Sequence, residues 1–312
     1  MRISEQRHFI PPENDPHPNI FEHDSNRFPA HQSLNEKSGV LQVLGICCGA
    51  STITAVRMAR RGNSAKVVKT ISRAHDGNPK KVVAELLTAM DYKACDRVAS
   101  TGRKFRLLLN LTTISEPLAV EQALSHIKER YPRMNALVSA GGETFIVYGL
   151  DQNGRIGKVY TGNKCASGTG EFFLQQIRRM DVGIDDAVRH AHSEKPHPVS
   201  GRCSVFCKSD CTHATNKGVP KGRVVAGLCR MMAGKVLELL TNIPKQDIFV
   251  VGGTTRNDVM LECLREEIKG LVVPEEATYF EAMGAALWAL ENETESVDAA
   301  HLFQEKSSQF EY

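Results

Sequence analysis

Apolar positions along the chain recur with two periods, two and about 3.6, and the switches between them mark its elements. Alternation or short apolar runs predict strands over 41–46, 53–58, 66–71, 98–102, 136–140, 145–150, 155–160 and 248–251. The longer period predicts helices over 79–90, 116–130, 170–180, 184–191, 203–217, 222–240, 258–269 and 279–289. In the first helix Val82, Val83, Leu86, Leu87 and Met90 share one side, and Pro79 suits the opening turn. Ser115 reads as the N-cap of the second, with Pro117 just inside. In 222–240 an apolar stripe holds Met231 and Met232, which read as core filler.

Strand, glycine turn with hydroxyls, and returning strand occur twice, about 95 residues apart, which implies two related α/β halves. The expected organisation is a disordered leader (1–38), a first α/β lobe (39–135), a second lobe carrying cysteines (136–280), a closing helix returning to the first lobe (281–291), and a loose polar tail (292–312). His8, His17, His23 and His31 in the leader fit no metal-finger spacing and read as solvated.

Composition narrows the function classes. With a net charge of +3, and Lys80-Lys81 and Lys221-Gly222-Arg223 as short basic stretches, no nucleic-acid groove is expected. No apolar run reaches the ~18 residues of a membrane span, and residues 1–7 lack the apolar centre of a signal peptide. A cytoplasmic location with no membrane partner is therefore expected. In such a reducing compartment, nine cysteines point to ligands and buried thiols rather than a disulfide frame.

Two cysteines stand out. Cys165, in Asn163-Lys164-Cys165-Ala166-Ser167-Gly168-Thr169-Gly170, and Cys203, in Cys203-Ser204-Val205-Phe206, each sit at what reads as the first turn of a helix. A helix N-terminus carries about half a positive charge and favours a thiolate. Such a pair suggests an iron–sulfur cluster more than a disulfide, and a symmetric dimer would complete the four ligands of a 4Fe–4S cube. Cys207 and Cys211 fall on the same helix face as Cys203; they read as buried structural thiols in preference to extra ligands.

Three glycine turns each follow a strand: Gly49-Ala50-Ser51-Thr52, Gly141-Gly142-Glu143-Thr144 and Gly252-Gly253-Thr254. Glycine lets backbone N–H groups close around phosphate oxygens while hydroxyls donate to them. One such turn is weak evidence, but three in this order favour a nucleotide held between two lobes. Neither a P-loop nor a Rossmann fingerprint is present.

From about Val43 to Leu290 the chain resembles the activator ATPases of 2-hydroxyacyl-CoA dehydratases and the related ATPase subunits of benzoyl-CoA reductases. The stretch 163–170 is close to that family's N-D-K-C-A-A-G-T-G, and Cys203-Ser204-Val205-Phe206 to its C-T-V-F. Gly252-Gly253-Thr254 with Asn257 is similar to its adenosine turn, and Ala282-Met283-Gly284-Ala285-Ala286 to its closing A-L-G-A-A. The resemblance implies an actin, sugar-kinase and heat-shock-chaperone fold with an interlobe nucleotide cleft. It also implies ATP or ADP with Mg2+, and a homodimer sharing one 4Fe–4S cluster through Cys165 and Cys203. Partners would be an acyl-CoA dehydratase or reductase component and a ferredoxin- or flavodoxin-like donor. Expected nucleotide-binding residues are Gly49, Ala50, Ser51, Thr52, Gly141, Gly142, Thr144, Gly252, Gly253, Thr254 and Asn257, with Glu281 and Gly284 on the last helix.

The chain departs from that family where acids are usual. Cys47 replaces an aspartate that helps hold Mg2+, Ser139 and Thr144 replace two more, and Glu143 replaces glutamine. Glu143 is therefore the first catalytic candidate and Glu116, in Ser115-Glu116-Pro117, the second. Two other readings stay open: an amino-sugar-like kinase of the same fold, and a cluster carrier that binds nucleotide without hydrolysing it.

Overall fold

The structure, a computed structural model, describes residues 21–22, 39–103, 109–162, 168–298 and 301–303. Nearly every expected element forms. The first sheet contains β1 (Phe21–Glu22), β2 (Val40–Cys48), β3 (Thr52–Arg61), β4 (Ser64–Ala74), β5 (Arg97–Gly102) and β6 (Thr112–Thr113), in the order β1-β4-β3-β2-β5-β6. The second contains β7 (Ala136–Ala140), β8 (Phe145–Leu150), β9 (Ile156–Thr161) and β10 (Ile248–Val251), in the order β10-β7-β8-β9. Each sheet is a hairpin meander joined to a parallel strand: β2 pairs parallel with β5, and β7 with β10. The two halves suspected from the repeated turn therefore share this scheme.

Helices fill the spaces around the sheets: α1 (Pro79–Ala89), α2 (Glu116–Ile127), α3 (Gly170–Arg179), α4 (Ile184–Ala191), α5 (Ser204–Asn216), α6 (Lys221–Leu239), α7 (Asp258–Arg265) and α8 (Phe280–Glu291). Three apolar cores result. Val82, Val83, Leu86 and Leu87 of α1 pack with Leu44, Ile46 and Ile53 on the outer face of the first sheet. The second sheet's outer face packs against α3 to α7. Between the sheets, α2 and α8 join Val43, Val56 and Met58 of the first to Leu137, Ile146, Tyr148 and Phe249 of the second.

Small residues set the spacing of that middle layer. A Cβ on Gly45 of β2 would lie 2.1 Å from the Ala282 carbonyl oxygen, and one on Gly284 would lie 1.9 Å from that of Ala119. The backbone of α8 thus touches a strand on one side and α2 on the other, which larger side chains would prevent. Two expectations need correction at the ends of the chain. Phe21–Glu22 of the expected disordered leader pair antiparallel with β4; residues 1–20 and 23–38 lie outside the described residues. The described part of the tail expected to be loose is laid along β5 and β6: Val98 N–H donates to Thr294 Oγ1, Glu295 N–H donates to Thr112 Oγ1, and Leu302 is buried, while residues 299–300 and 304–312 lie outside the described residues.

The candidate nucleotide cleft

All three glycine turns open into one cleft between the sheets. The first links β2 to β3, the second links β7 to β8, and the third follows β10. Each sits where a strand ends; Gly49 N–H donates to the Thr52 carbonyl and Gly252 N–H to that of Ala277, which closes the first and third turns. Gly49, Ala50, Ser51, Thr52, Gly141, Gly142, Thr144, Gly252, Gly253 and Thr254 all line the cleft. Phe173, Leu174, Ile184 and Tyr279 add an apolar wall of the kind a planar base requires.

The start of α3 is fastened to the second turn. Gly170 N–H donates to the Gly141 carbonyl at 3.3 Å and Glu171 N–H to that of Gly142 at 2.9 Å. Thr254 Oγ1 donates to the same Gly141 oxygen at 3.3 Å, bringing in the third turn. From the first turn, Ser51 Oγ donates to Glu171 Oε2 at 2.8 Å. A Cβ on Gly142 would lie 2.3 Å from Ser51 Oγ, so a larger residue there would turn that hydroxyl away from Glu171. The three turns and one helix start therefore converge within hydrogen-bond reach.

Below them lies a set of acids. Glu116 at the start of α2 is buried; it accepts from Tyr148 OH at 3.0 Å and from Arg103 Nε at 3.3 Å. Glu281 in the first turn of α8 is buried too and accepts from Ser139 Oγ at 2.9 Å. Burial, and then the neighbouring Glu116 carboxylate, push the Glu281 carboxyl up to about 7. The same surroundings, burial first and then Glu281 and Glu116, hold the Cys47 thiol well above the usual range. Glu143 lies exposed at the rim.

Two expected nucleotide residues have packing or capping roles in the structure. Gly284 is not among the cleft-lining residues; it faces α2, and its small size serves helix packing. Asn257 reaches the cleft wall, but its Oδ1 caps α7 through Met260 N–H and its amide lies 3.2 Å from Cys229 Sγ. Arg103, Tyr148 and Glu171 were not expected. Arg103 follows a strand without a motif and Tyr148 reads as an ordinary alternating strand residue. Glu171 adjoins the quoted cysteine stretch, where an acid in a helix's first turn was the available signal.

Cys203 occupies the N-cap position of α5, half-buried, with Val205 and Phe206 exposed on the next turn. Cys165 lies outside the described residues. Cys207 and Cys211 are buried in the second-lobe core, and a hydrogen bond from Cys207 lowers the Cys211 thiol. Among the described residues, no three His, Cys, Asp or Glu side chains converge in a way that could hold a metal ion, and no helix is long and apolar enough to cross a membrane.

The model of the BadF/BadG/BcrA/BcrD ATPase family matches residues 44–289. A 2-hydroxyisocaproyl-CoA dehydratase activator of Clostridioides difficile is 29% identical over 168 residues, covering 53% of this chain and 63% of that protein. The match thus spans just under two thirds of that relative's length. An (R)-2-hydroxyglutaryl-CoA dehydratase activating ATPase of Acidaminococcus fermentans is 30% identical over 165 residues, covering 51% and 62%. Among solved structures, the Clostridium difficile activator of 2-hydroxyisocaproyl-CoA dehydratase with bound ADPNP superposes with a TM-score of 0.71 at 23% identity, covering 80% of this chain and 95% of that one. The fold is that of this activator and of component A of the Acidaminococcus fermentans (R)-2-hydroxyglutaryl-CoA dehydratase, which superposes with a TM-score of 0.67 at 23% identity.

Proposed function

Because the chain belongs to the BadF/BadG/BcrA/BcrD ATPase family, we propose that it is an ATP-hydrolysing activator that delivers a low-potential electron to an acyl-CoA dehydratase or reductase. The observation that carries this reading is the convergence of three phosphate-type turns on the first turn of α3, five residues beyond Cys165. Nucleotide bound in the cleft would act directly on the segment that bears one of the two proposed ligands.

The donor set fits the groups this reading needs. The hydroxyls of Ser51, Thr52 and Thr254 and the backbone N–H groups of the turns suit phosphate oxygens. A hard oxygen donor, the Glu143 carboxylate at the rim, suits the accompanying Mg2+. A Cys203 thiolate at the N-cap of α5 would be stabilised by the helix terminus. Cys165 and Cys203 from each of two subunits would hold one 4Fe–4S cluster, which supplies one-electron chemistry when bound.

This chain's own part is mechanical. Ser51 lies in the first lobe and Glu171 in the second, so their hydrogen bond spans the cleft. Phosphate oxygens competing for Ser51 would release Glu171, and the backbone links from Gly141 and Gly142 would carry the displacement into α3. ATP favours one arrangement of the lobes by its differential contacts, and that arrangement selects the acyl-CoA enzyme as partner over the ferredoxin- or flavodoxin-like donor.

The test is oxygen-free purification of the full chain, with iron content, visible spectrum, mass in solution and nucleotide-dependent phosphate release measured together. About four irons per dimer, lost in Cys165→Ala and in Cys203→Ala, is the expected outcome. Iron-free protein would remove the electron-transfer part. Iron present with no phosphate release would leave a carrier that binds nucleotide without hydrolysing it.

A further inference from the structure

We infer that Glu281, carried on α8, is the carboxylate that accepts the proton of the attacking water, an assignment that rests on the ATP-hydrolysis reading above. Three carboxylates line the cleft among the described residues, and their surroundings separate them. Both oxygens of Glu116 are engaged, one by Tyr148 OH and the other by the Arg103 guanidinium, so it is a poor proton acceptor. Glu143 stands in solvent at the rim. As a proton acceptor, a carboxylate there gains nothing from the protein, and water can replace it.

Glu281 differs on each count. It is only 9% exposed, and Ser139 Oγ fixes one of its oxygens at 2.9 Å. Its helix cannot slide, because α8 is wedged by close backbone approach between Gly45 of β2 and Ala119 of α2. Such fixed geometry is what proton transfer at a defined atom requires. Among the described residues, the groups that face it are Cys47 from β2, Ser139 from β7, Tyr148 from β8, Glu116 from α2 and Arg103 beyond β5. Apart from Arg103, which is tied to Glu116, they bring no cation to Glu281. The carboxyl is thus held up at about 7, where a base is half-ionised at neutral pH and gains from taking a proton.

The water oxygen bonds to the terminal phosphorus, and its proton passes to Glu281. The bond from that phosphorus to the bridging oxygen breaks, ADP departs with the electron pair, and inorganic phosphate forms. Glu281 returns its proton to solvent when the cleft opens.

The experiment uses the full chain and measures both ATP affinity and phosphate release for the parent, Glu281→Gln, Ser139→Ala and Glu143→Gln, each from about pH 5.5 to 9. The parent rate should rise with pH through about 7. In Glu281→Gln, release should fall at least ~100-fold while ATP affinity stays within about threefold. In Ser139→Ala the rise should move to higher pH, because the carboxylate loses a donor, and a purely structural role for Ser139 would not cause that shift. Parent-like release or an unchanged pH rise in Glu281→Gln overturns the assignment, as does loss confined to Glu143→Gln. A parent that binds ATP but releases no phosphate overturns the hydrolysis reading itself, an outcome told apart because it precedes any substitution.

Discussion

Placing an acid in a dry setting beside a second acid costs folding free energy, and Glu281 carries that cost into the pH dependence of stability. Holding its carboxyl at about 7 instead of the ordinary 4.5 corresponds to about 3 kcal/mol once the group is ionised. The direction follows from proton counting. Below the unfolded value, both states are protonated and nothing is lost. Between the two values, the folded chain keeps a proton that the unfolded chain has released, so stability falls as pH rises. Above about 7 the full cost is present. Glu281→Gln removes the ionisation, so it should raise the melting temperature relative to the parent at about pH 8, and the gain should vanish at about pH 3.5, below both values. Thermal melts at the two pH values check this; a difference independent of pH would mean that the carboxyl does not titrate between them.

Among the elements, α8 is the one on which both fold and cleft depend. Gly284→Ala would press a methyl against the Ala119 carbonyl and should cost about 3 kcal/mol, read as a lower denaturation midpoint with nucleotide affinity kept in the folded fraction. The start of α3 should respond differently. Glu171 places a negative charge on a hydroxyl that phosphate needs, so Glu171→Gln should tighten ATP binding about fivefold by calorimetry, an effect of about 1 kcal/mol. Weaker binding would show that Glu171 supports the nucleotide instead of competing with it. Elements such as these were legible from period alone: strands 136–140, 145–150 and 248–251 and helix 184–191 form with the expected bounds. The helix expected to reach residue 269 stops at Arg265, because 267–272 turn to run beside β10, where Val272 N–H donates to the Ile248 carbonyl. The cleft's glycine turns were legible for the same local reason. Glu116 and Glu281 were both expected at the cleft, but not their partners, since Ser139–Glu281 and Tyr148–Glu116 join residues far apart in the chain and no local pattern encodes such pairs. The packing role of Gly284 against Ala119 was not legible either, because a small residue serves helix packing and ligand approach equally well.

For the molecule as a whole, the question is what covers the first turn of α5. Val205 is 69% exposed and Phe206 64%, next to Cys203, while the same helix buries Cys207, Cys211 and Ala214 on its other side. The proposed shared cluster requires two copies to meet near Cys203, and an uncovered aromatic beside that thiol is the surface such a meeting would bury. Phe206→Asp separates this role from folding. An exposed side chain contributes little to the protomer's own stability, within about 0.5 kcal/mol, so the melting temperature of the iron-free chain should hold. In the iron-loaded protein, however, an aspartate facing its twin across a twofold axis places two like charges in a closing interface. Sedimentation under anaerobic conditions should then show a shift from dimer to monomer, with iron lost in step because each protomer alone offers two of the four thiolates. If Phe206→Asp stays dimeric and keeps its iron, the subunits meet elsewhere.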